Sequence, residues 1–133
     1  AASDFVIICA PLSPETTSLI NAPRLALMRP DAVLMNVGRA PVVDEAALYA
    51  ALSTGALRGA MLDVWWRRGD ANDPWPSQFP YQKLSNLIMS PHSSAWSHEM
   101  LARRWQFVAA NLDRFARGES PLNQVFTGSA SEA

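Results

Sequence analysis

Arg39, Asp63 and His92 are the residues of this sequence whose types and settings can do chemistry together. Arg39 lies in Asn36-Val37-Gly38-Arg39-Ala40-Pro41, just past the apolar run Ala32 to Met35. A guanidinium there can hold a carboxylate through two parallel hydrogen bonds. His92 lies in Ser90-Pro91-His92-Ser93-Ser94. An imidazole with an ordinary pKa of ~6.5 can act as a general acid or base near neutrality. Asp63 interrupts the apolar run Gly59-Ala60-Met61-Leu62-Asp63-Val64-Trp65. A carboxylate buried in such a run needs donors, because burying it alone is costly. Those donors are backbone amides that it caps, or the amide of a ligand. Each residue also has an ordinary reading. Arg39 can be a solvated side chain and His92 a structural loop histidine. His98 falls in the first turn of a helix and takes no role.

The elements that must position these groups are legible from the pattern. Asp4 to Ala10 is a nearly continuous apolar run closed by Pro11, and its β-branched content reads as a strand buried on both faces. Ala32 to Val37, Gly59 to Trp65 and Leu87 to Met89 read as three further strands. Asn21 caps a short helix over 22–28, with Pro23 in its first turn. Asp44 caps a helix over 45–52, with Ala47, Leu48, Ala51 and Leu52 on one face and Gly55 past its end. The first two connections each hold a helix and exceed a dozen residues, which implies parallel strands with right-handed crossovers. Parallel strands put all their carboxyl ends on one edge, where open α/β sheets bind ligands. Pro11, Arg39, Asp63 and His92 therefore converge on one rim.

From Trp66 to Lys83 the chain runs through a long, aromatic-rich loop with Pro74, Pro76 and Pro80. Loops of this length in compact domains are usually functional or mobile. Ser97 then caps a helix reaching Arg117, whose stripe of Leu101, Trp105, Val108, Leu112 and Phe115 reads as core packing.

With 133 residues the chain suits one domain, and a net charge of −1 provides no basic field for nucleic acid. The single cysteine, Cys9, can form no internal disulfide and reads as core. One cysteine and two histidines do not make a zinc ligand set, so no metal is expected. No run of ~20 apolar residues predicts a membrane span. The start Ala1-Ala2-Ser3-Asp4 lacks the basic opening of a signal peptide, and a cytoplasmic protein is the expectation. There is no Gly-x-Ser-x-Gly elbow, Gly-x-Gly-x-x-Gly run or Walker loop.

Five segments in this order resemble the D-isomer-specific 2-hydroxyacid dehydrogenases: Asp4-Phe5-Val6 to Ala10-Pro11-Leu12-Ser13-Pro14-Glu15-Thr16, Leu34 to Arg39, Val43 to Leu48, Gly59 to Val64, and Asn86 to His92. The likeness runs to about Val125. It implies an α/β fold: the second half of a Rossmann-like, doubly wound parallel sheet, with a long C-terminal helix. It implies that 1–126 form the C-terminal part of a dinucleotide-binding domain; 127–133, small and polar, read from the sequence as a flexible tail. It implies hydride transfer between NAD or NADP and a small 2-oxo or 2-hydroxy acid, in a homodimer. Arg39 would hold the substrate carboxylate, and His92 would pass a proton to the carbonyl oxygen. Ala10, Pro11, Thr16, Val37 and Gly38 would line the cofactor, with Ser94 beside the nicotinamide and Asp63 accepting from its carboxamide.

The sequence departs from the family pattern in three places. Arg39 is followed by Ala40 where the family has glycine, a minor change if φ is negative. Counting from Asp63-Val64 places Arg68 where the family's catalytic glutamate falls, with Asp70 and Asp73 as alternative carboxylates. The glycine-rich phosphate loop and the substrate domain are expected to precede this stretch or lie elsewhere. A truncated portion of an enzyme is thus expected, or alternatively a non-catalytic fragment that self-associates or complements another chain.

Overall fold

The computed structural model describes residues 2–67, 72 and 74–125. Four parallel strands form one sheet in the order β1 (Phe5–Ile8), β2 (Val33–Asn36), β3 (Gly59–Leu62) and β4 (Leu87–Met89). Helix α1 (Ala22–Leu25) joins β1 to β2, and α2 (Glu45–Ser53) joins β2 to β3. Short 3₁₀ turns occupy Ala40–Val42 and Tyr81–Lys83. The chain divides into two compact units, Ala1–Ser94 and Ala95–Ala133. The sheet, α1 and α2 belong to the first.

Register follows the side-chain period of two. Ile8, Asn36, Leu62 and Met89 stand in one row across the sheet, and Val6, Leu34, Ala60 and Leu87 in the row before it. These rows point to one face, where Leu25 of α1 and Leu48 and Leu52 of α2 close over them. Leu34, Leu48 and Leu62 are fully buried there. The expected caps form: Asn21 Oδ1 accepts from Arg24 N at 3.3 Å, and Asp44 Oδ1 accepts from Ala47 N at 2.8 Å. Gly55, at φ 73°, takes the left-handed residue past α2.

The alternate row differs from the sequence-based expectation. Phe5 and Ile7 are 60% and 58% exposed, so among the described residues β1 is covered on one face rather than two. Cys9 continues that alternation and is exposed, not core. The apolar run was too uniform to show which face lacked cover. β1, β2 and β3 are also shorter than their apolar runs, while β4 covers the run expected for it, and α1 stops at Leu25, where residues 26–28 make turn bonds instead.

In the second unit, α3 (His98–Ala116) is capped by Ser97, whose hydroxyl accepts from Met100 N at 3.1 Å. None of its residues is buried, so the stripe through Trp105, Leu112 and Phe115 is exposed rather than core. Its far end is tied by Asn111 Oδ1, which accepts from Leu122 N at 2.7 Å, and by Glu119 paired with Arg114 and Arg117. Among the described residues no helix is long and apolar enough to cross a membrane. Arg68, Asp70, Asp73 and the tail 127–133 lie outside the described residues.

Candidate active site

The rim at the carboxyl edge of the sheet is built from four chain turns. The first two interlock at Gly38. Val37 N donates to Ile8 O at 3.2 Å, and a side chain at Gly38 would place its Cβ 2.8 Å from Ala10 O. Only glycine lets the Val37-Gly38 backbone lie so close to the Ala10-Pro11 turn. Thr16 fixes the far side of that turn: its hydroxyl donates to Pro11 O at 2.8 Å and accepts from Ser13 N at 2.7 Å.

Asn36 shapes the second turn. It is fully buried, its Oδ1 accepts from Gly38 N at 3.1 Å, and its Nδ2 donates to Arg39 O at 3.1 Å. Its backbone carbonyl also accepts from Asp63 N at 3.0 Å. Sequence reasoning passed over Asn36. Its signal was a polar residue at an inward position of an otherwise apolar strand. Arg39 is held in extended backbone, at φ −140° and ψ 134°, and is exposed. Its guanidinium makes one hydrogen bond among the described residues, Nη1 to Gly38 O at 2.8 Å, which leaves most of its five donors unspent. Ala40 is 2% exposed with negative φ, so this backbone accepts alanine without strain.

Asp63 follows β3 and is 1% exposed. Its Oδ1 accepts from Ser90 Oγ at 2.6 Å, Ser93 N at 2.9 Å and Ser94 N at 3.1 Å. Its Oδ2 accepts from Ser94 Oγ at 2.6 Å and, more weakly, from Ser94 N at 3.2 Å. Burial alone would push this carboxyl up. The hydroxyls of Ser90 and Ser94 and the amides of Ser93 and Ser94 outweigh it and bring it down to about 2. Of the two roles the sequence left open, the capping of amides is the one seen. Ser90 and Ser93 were not singled out from the sequence, because a serine's partner cannot be read from its neighbours.

These bonds wrap the turn on which His92 sits. His92 has φ 58°, a left-handed conformation that is uncommon away from glycine. With His92 so turned, the amides of Ser93 and Ser94 both aim at Asp63. The imidazole is exposed and makes no hydrogen bond among the described residues. β2 and β4 flank β3. At ~4.8 Å per strand the Arg39 and His92 turns start about 10 Å apart. Trp65 adds a further tie, its Nε1 donating to Ser90 O at 3.0 Å.

The sheet thus brings Ala10 and Pro11 against Val37 and Gly38, and Asp63 against Ser94 and the His92 turn. Arg39 and His92 share the edge on either side of β3. A parallel α/β sheet with an arginine, a capped carboxylate and a histidine at its carboxyl edge defines a Rossmann-type nucleotide-binding half-domain. Residues 1–94 carry the sequence pattern of the D-isomer specific 2-hydroxyacid dehydrogenase, NAD binding domain, and the chain belongs to that family. A glyoxylate reductase of Korarchaeum cryptofilum is 42% identical over 123 residues, which are 92% of this chain and 36% of that protein. A D-isomer specific 2-hydroxyacid dehydrogenase of Xanthobacter autotrophicus Py2, crystallised with NADPH and MES, is 39% identical with a TM-score of 0.67; the likeness covers 93% of this chain and 48% of that one. The NAD-complexed enzyme of Lactobacillus delbrueckii ssp. bulgaricus has a TM-score of 0.80 at 27% identity, covering 92% of this chain and 40% of that one. The chain spans about a third of the length of the curated relatives it matches.

Proposed function

We propose that this chain supplies the nicotinamide-side half of an NAD(P)-dependent 2-hydroxyacid dehydrogenase that reduces a small 2-oxo acid. The observation that carries the reading is the shared rim: a guanidinium with unspent donors and an imidazole on a bound turn, one strand apart. The described residues fit the nicotinamide end of a dinucleotide. Close backbone approach at Gly38 and the hydroxyl of Ser94, held in place by the buried Asp63 carboxylate, suit a flat ring bearing an amide. No Gly-x-Gly-x-x-Gly run for a pyrophosphate occurs in the sequence. The bound nicotinamide supplies the hydride.

The protein's own groups do the rest. Arg39 clamps the substrate carboxylate and sets the oxo carbon toward the ring. His92 gives its proton to the carbonyl oxygen as charge develops there, and takes it back in the reverse oxidation. Asp63 remains ionised across the working range, so it accepts hydrogen bonds and exchanges no proton. Ala10, Pro11, Thr16, Val37 and Gly38 make the wall against which the cofactor lies. Domain bounds of 1–126 go with this reading.

Glyoxylate is the first substrate to try, since the K. cryptofilum relative is a glyoxylate reductase. A cytoplasmic setting goes with this reading, and Cys9 of this chain is a free exposed thiol. Self-association as a dimer goes with the open sheet face that carries Phe5, Ile7 and Ile88. The test is absorbance at the reduced-nicotinamide band when the native protein meets NADH or NADPH with glyoxylate or hydroxypyruvate. Turnover lost in Arg39→Gln and His92→Gln supports the proposal. Absence of turnover with every small 2-oxo acid by a folded wild-type sample overturns it.

A further inference from the structure

The loop between β3 and β4 is fastened through Trp65 to the turn that carries His92, and through Trp66, Ser77, Gln78 and Tyr81 to Val43 and Glu45, just past the turn that carries Arg39. On the Arg39 side, Trp66 Nε1 donates to Val43 O at 3.0 Å, four residues past the arginine. Tyr81 Oη donates to the backbone carbonyl of Glu45 at 2.9 Å, and Ser77 Oγ donates to its Oε1 at 2.6 Å. Gln78 N reaches the same Oε1 at 3.2 Å. On the His92 side, Trp65 Nε1 donates to Ser90 O. The two anchoring tryptophans are consecutive, so the clamps share one short piece of chain. The indole of Trp66 stacks on the buried ring of Tyr81, with centroids 5.8 Å apart and planes at 4°. Burial, and then the nearby charge of Glu45, push the Tyr81 hydroxyl well above its ordinary range, so it remains a donor.

We infer that Glu45 is a positioning residue: by holding Ser77 and Gln78 it fixes residues 74–83 of the aromatic loop as a strut that sets the spacing of Arg39 and His92. The inference rests on the dehydrogenase reading for its effect on turnover, but the strut itself is a mechanical statement. Backbone anchors such as Trp66 to Val43 fix one point each. The Glu45 carboxylate takes two donors from adjacent residues of the buried Ser77 turn, and charge-assisted bonds of this kind are the strong ones. Of the bonds named here, those to Glu45 Oε1 are the ones made to a removable side-chain acceptor. Without it the loop can shift against α2 while the sheet stays intact. A misplacement of about 1 Å between reacting groups costs up to about a hundredfold.

The experiment compares the native protein with Glu45→Ala and Glu45→Gln. The amide oxygen of glutamine still accepts from Ser77 and Gln78. In Glu45→Ala, kcat/KM for the 2-oxo acid should fall by about tenfold or more, with the cofactor Kd unchanged within about twofold, and Glu45→Gln should restore most of it. Amide exchange read residue by residue should rise at Gln78 and also at Ser93 and Ser94, across the strut. Wild-type turnover retained in Glu45→Ala, or a rise confined to Gln78, overturns the inference. A wild-type protein without turnover but with exchange that spreads to Ser93 and Ser94 sinks the dehydrogenase reading and keeps the strut. If Glu45→Ala does not fold, Ser77→Ala replaces it with the same readouts, and unchanged values there count against the inference.

Discussion

Asp63 Oδ2 accepts a 2.6 Å hydrogen bond from Ser94 Oγ, across the turn that carries His92. With four further bonds to Ser90, Ser93 and Ser94, it makes one carboxylate the hub of the histidine's loop. Removing the hub orphans two hydroxyls and two amides, one of each shared by Ser94. A partner left unsatisfied costs about 1–3 kcal/mol when buried, and water can reach part of this turn. Asp63→Ala is therefore expected to destabilise the protein by about 2–4 kcal/mol. Urea denaturation checks this, and a loss under about 0.5 kcal/mol would place Asp63 outside the framework of the turn.

The same carboxylate gives a pH signature. Its pKa is near 3.8 when exposed and about 2 when folded. Between those values the unfolded chain binds more protons than the native one, so stability rises with pH there. The contribution is complete above the unfolded value and is lost as pH falls through the folded one. Denaturation midpoints followed from pH 5 to 2 should show a steeper fall for wild type than for Asp63→Asn, which has no carboxylate to protonate. Parallel curves would contradict the assignment.

This division of labour explains what the sequence could and could not reveal. Apolar runs closed by Pro11 and Pro91, and caps such as Asp44, are local signals, so the parallel sheet and the shared rim were legible. Asp63 stood out as a charge in an apolar run, yet its donors lie about thirty positions away and left no local mark. The same holds for Glu45, which reads as an ordinary first-turn carboxylate of α2 but reaches Ser77. The exposed faces of β1 and α3 were misjudged because periodicity shows which residues share a face, not whether anything covers it.

Gly38 is required by contact, not by its dihedral. A Cβ there meets a backbone carbonyl, Ala10 O at 2.8 Å, which cannot swing aside like a side-chain tip. Gly38→Ala must push the β1 and β2 turns apart, at about 1–3 kcal/mol by analogy with overpacked cores. Thermal unfolding reports the loss, and the cofactor Kd should rise with it because the displaced turns form the proposed wall. A variant of wild-type stability would show the turns to be loosely set.

Ala40 offers the reverse case. The family carries glycine after the arginine, but Ala40 is buried with negative φ in a 3₁₀ turn. Ala40→Gly adds backbone freedom to the unfolded chain and deletes a packed methyl, costing about 0.5–1 kcal/mol. Turnover should not improve. A gain in kcat/KM would mean that the methyl crowds the site.

Arg39 separates chemistry from stability. Its guanidinium spends one donor on Gly38 O and makes no ion pair among the described residues, so little of the fold leans on it. Arg39→Lys keeps the charge but loses the planar fork that meets both oxygens of a carboxylate. Stability should move by less than about 0.5 kcal/mol, as for surface changes in general. Turnover of a 2-oxo acid should fall by about a hundredfold, the scale of losing a second oriented bond of about 2–3 kcal/mol. The fall should be absent for cofactor binding, which does not use the guanidinium. Steady-state kinetics beside a urea curve on one preparation decide the matter: a stable variant with full turnover removes Arg39 from the site, and with it the main reason for placing a carboxylate there.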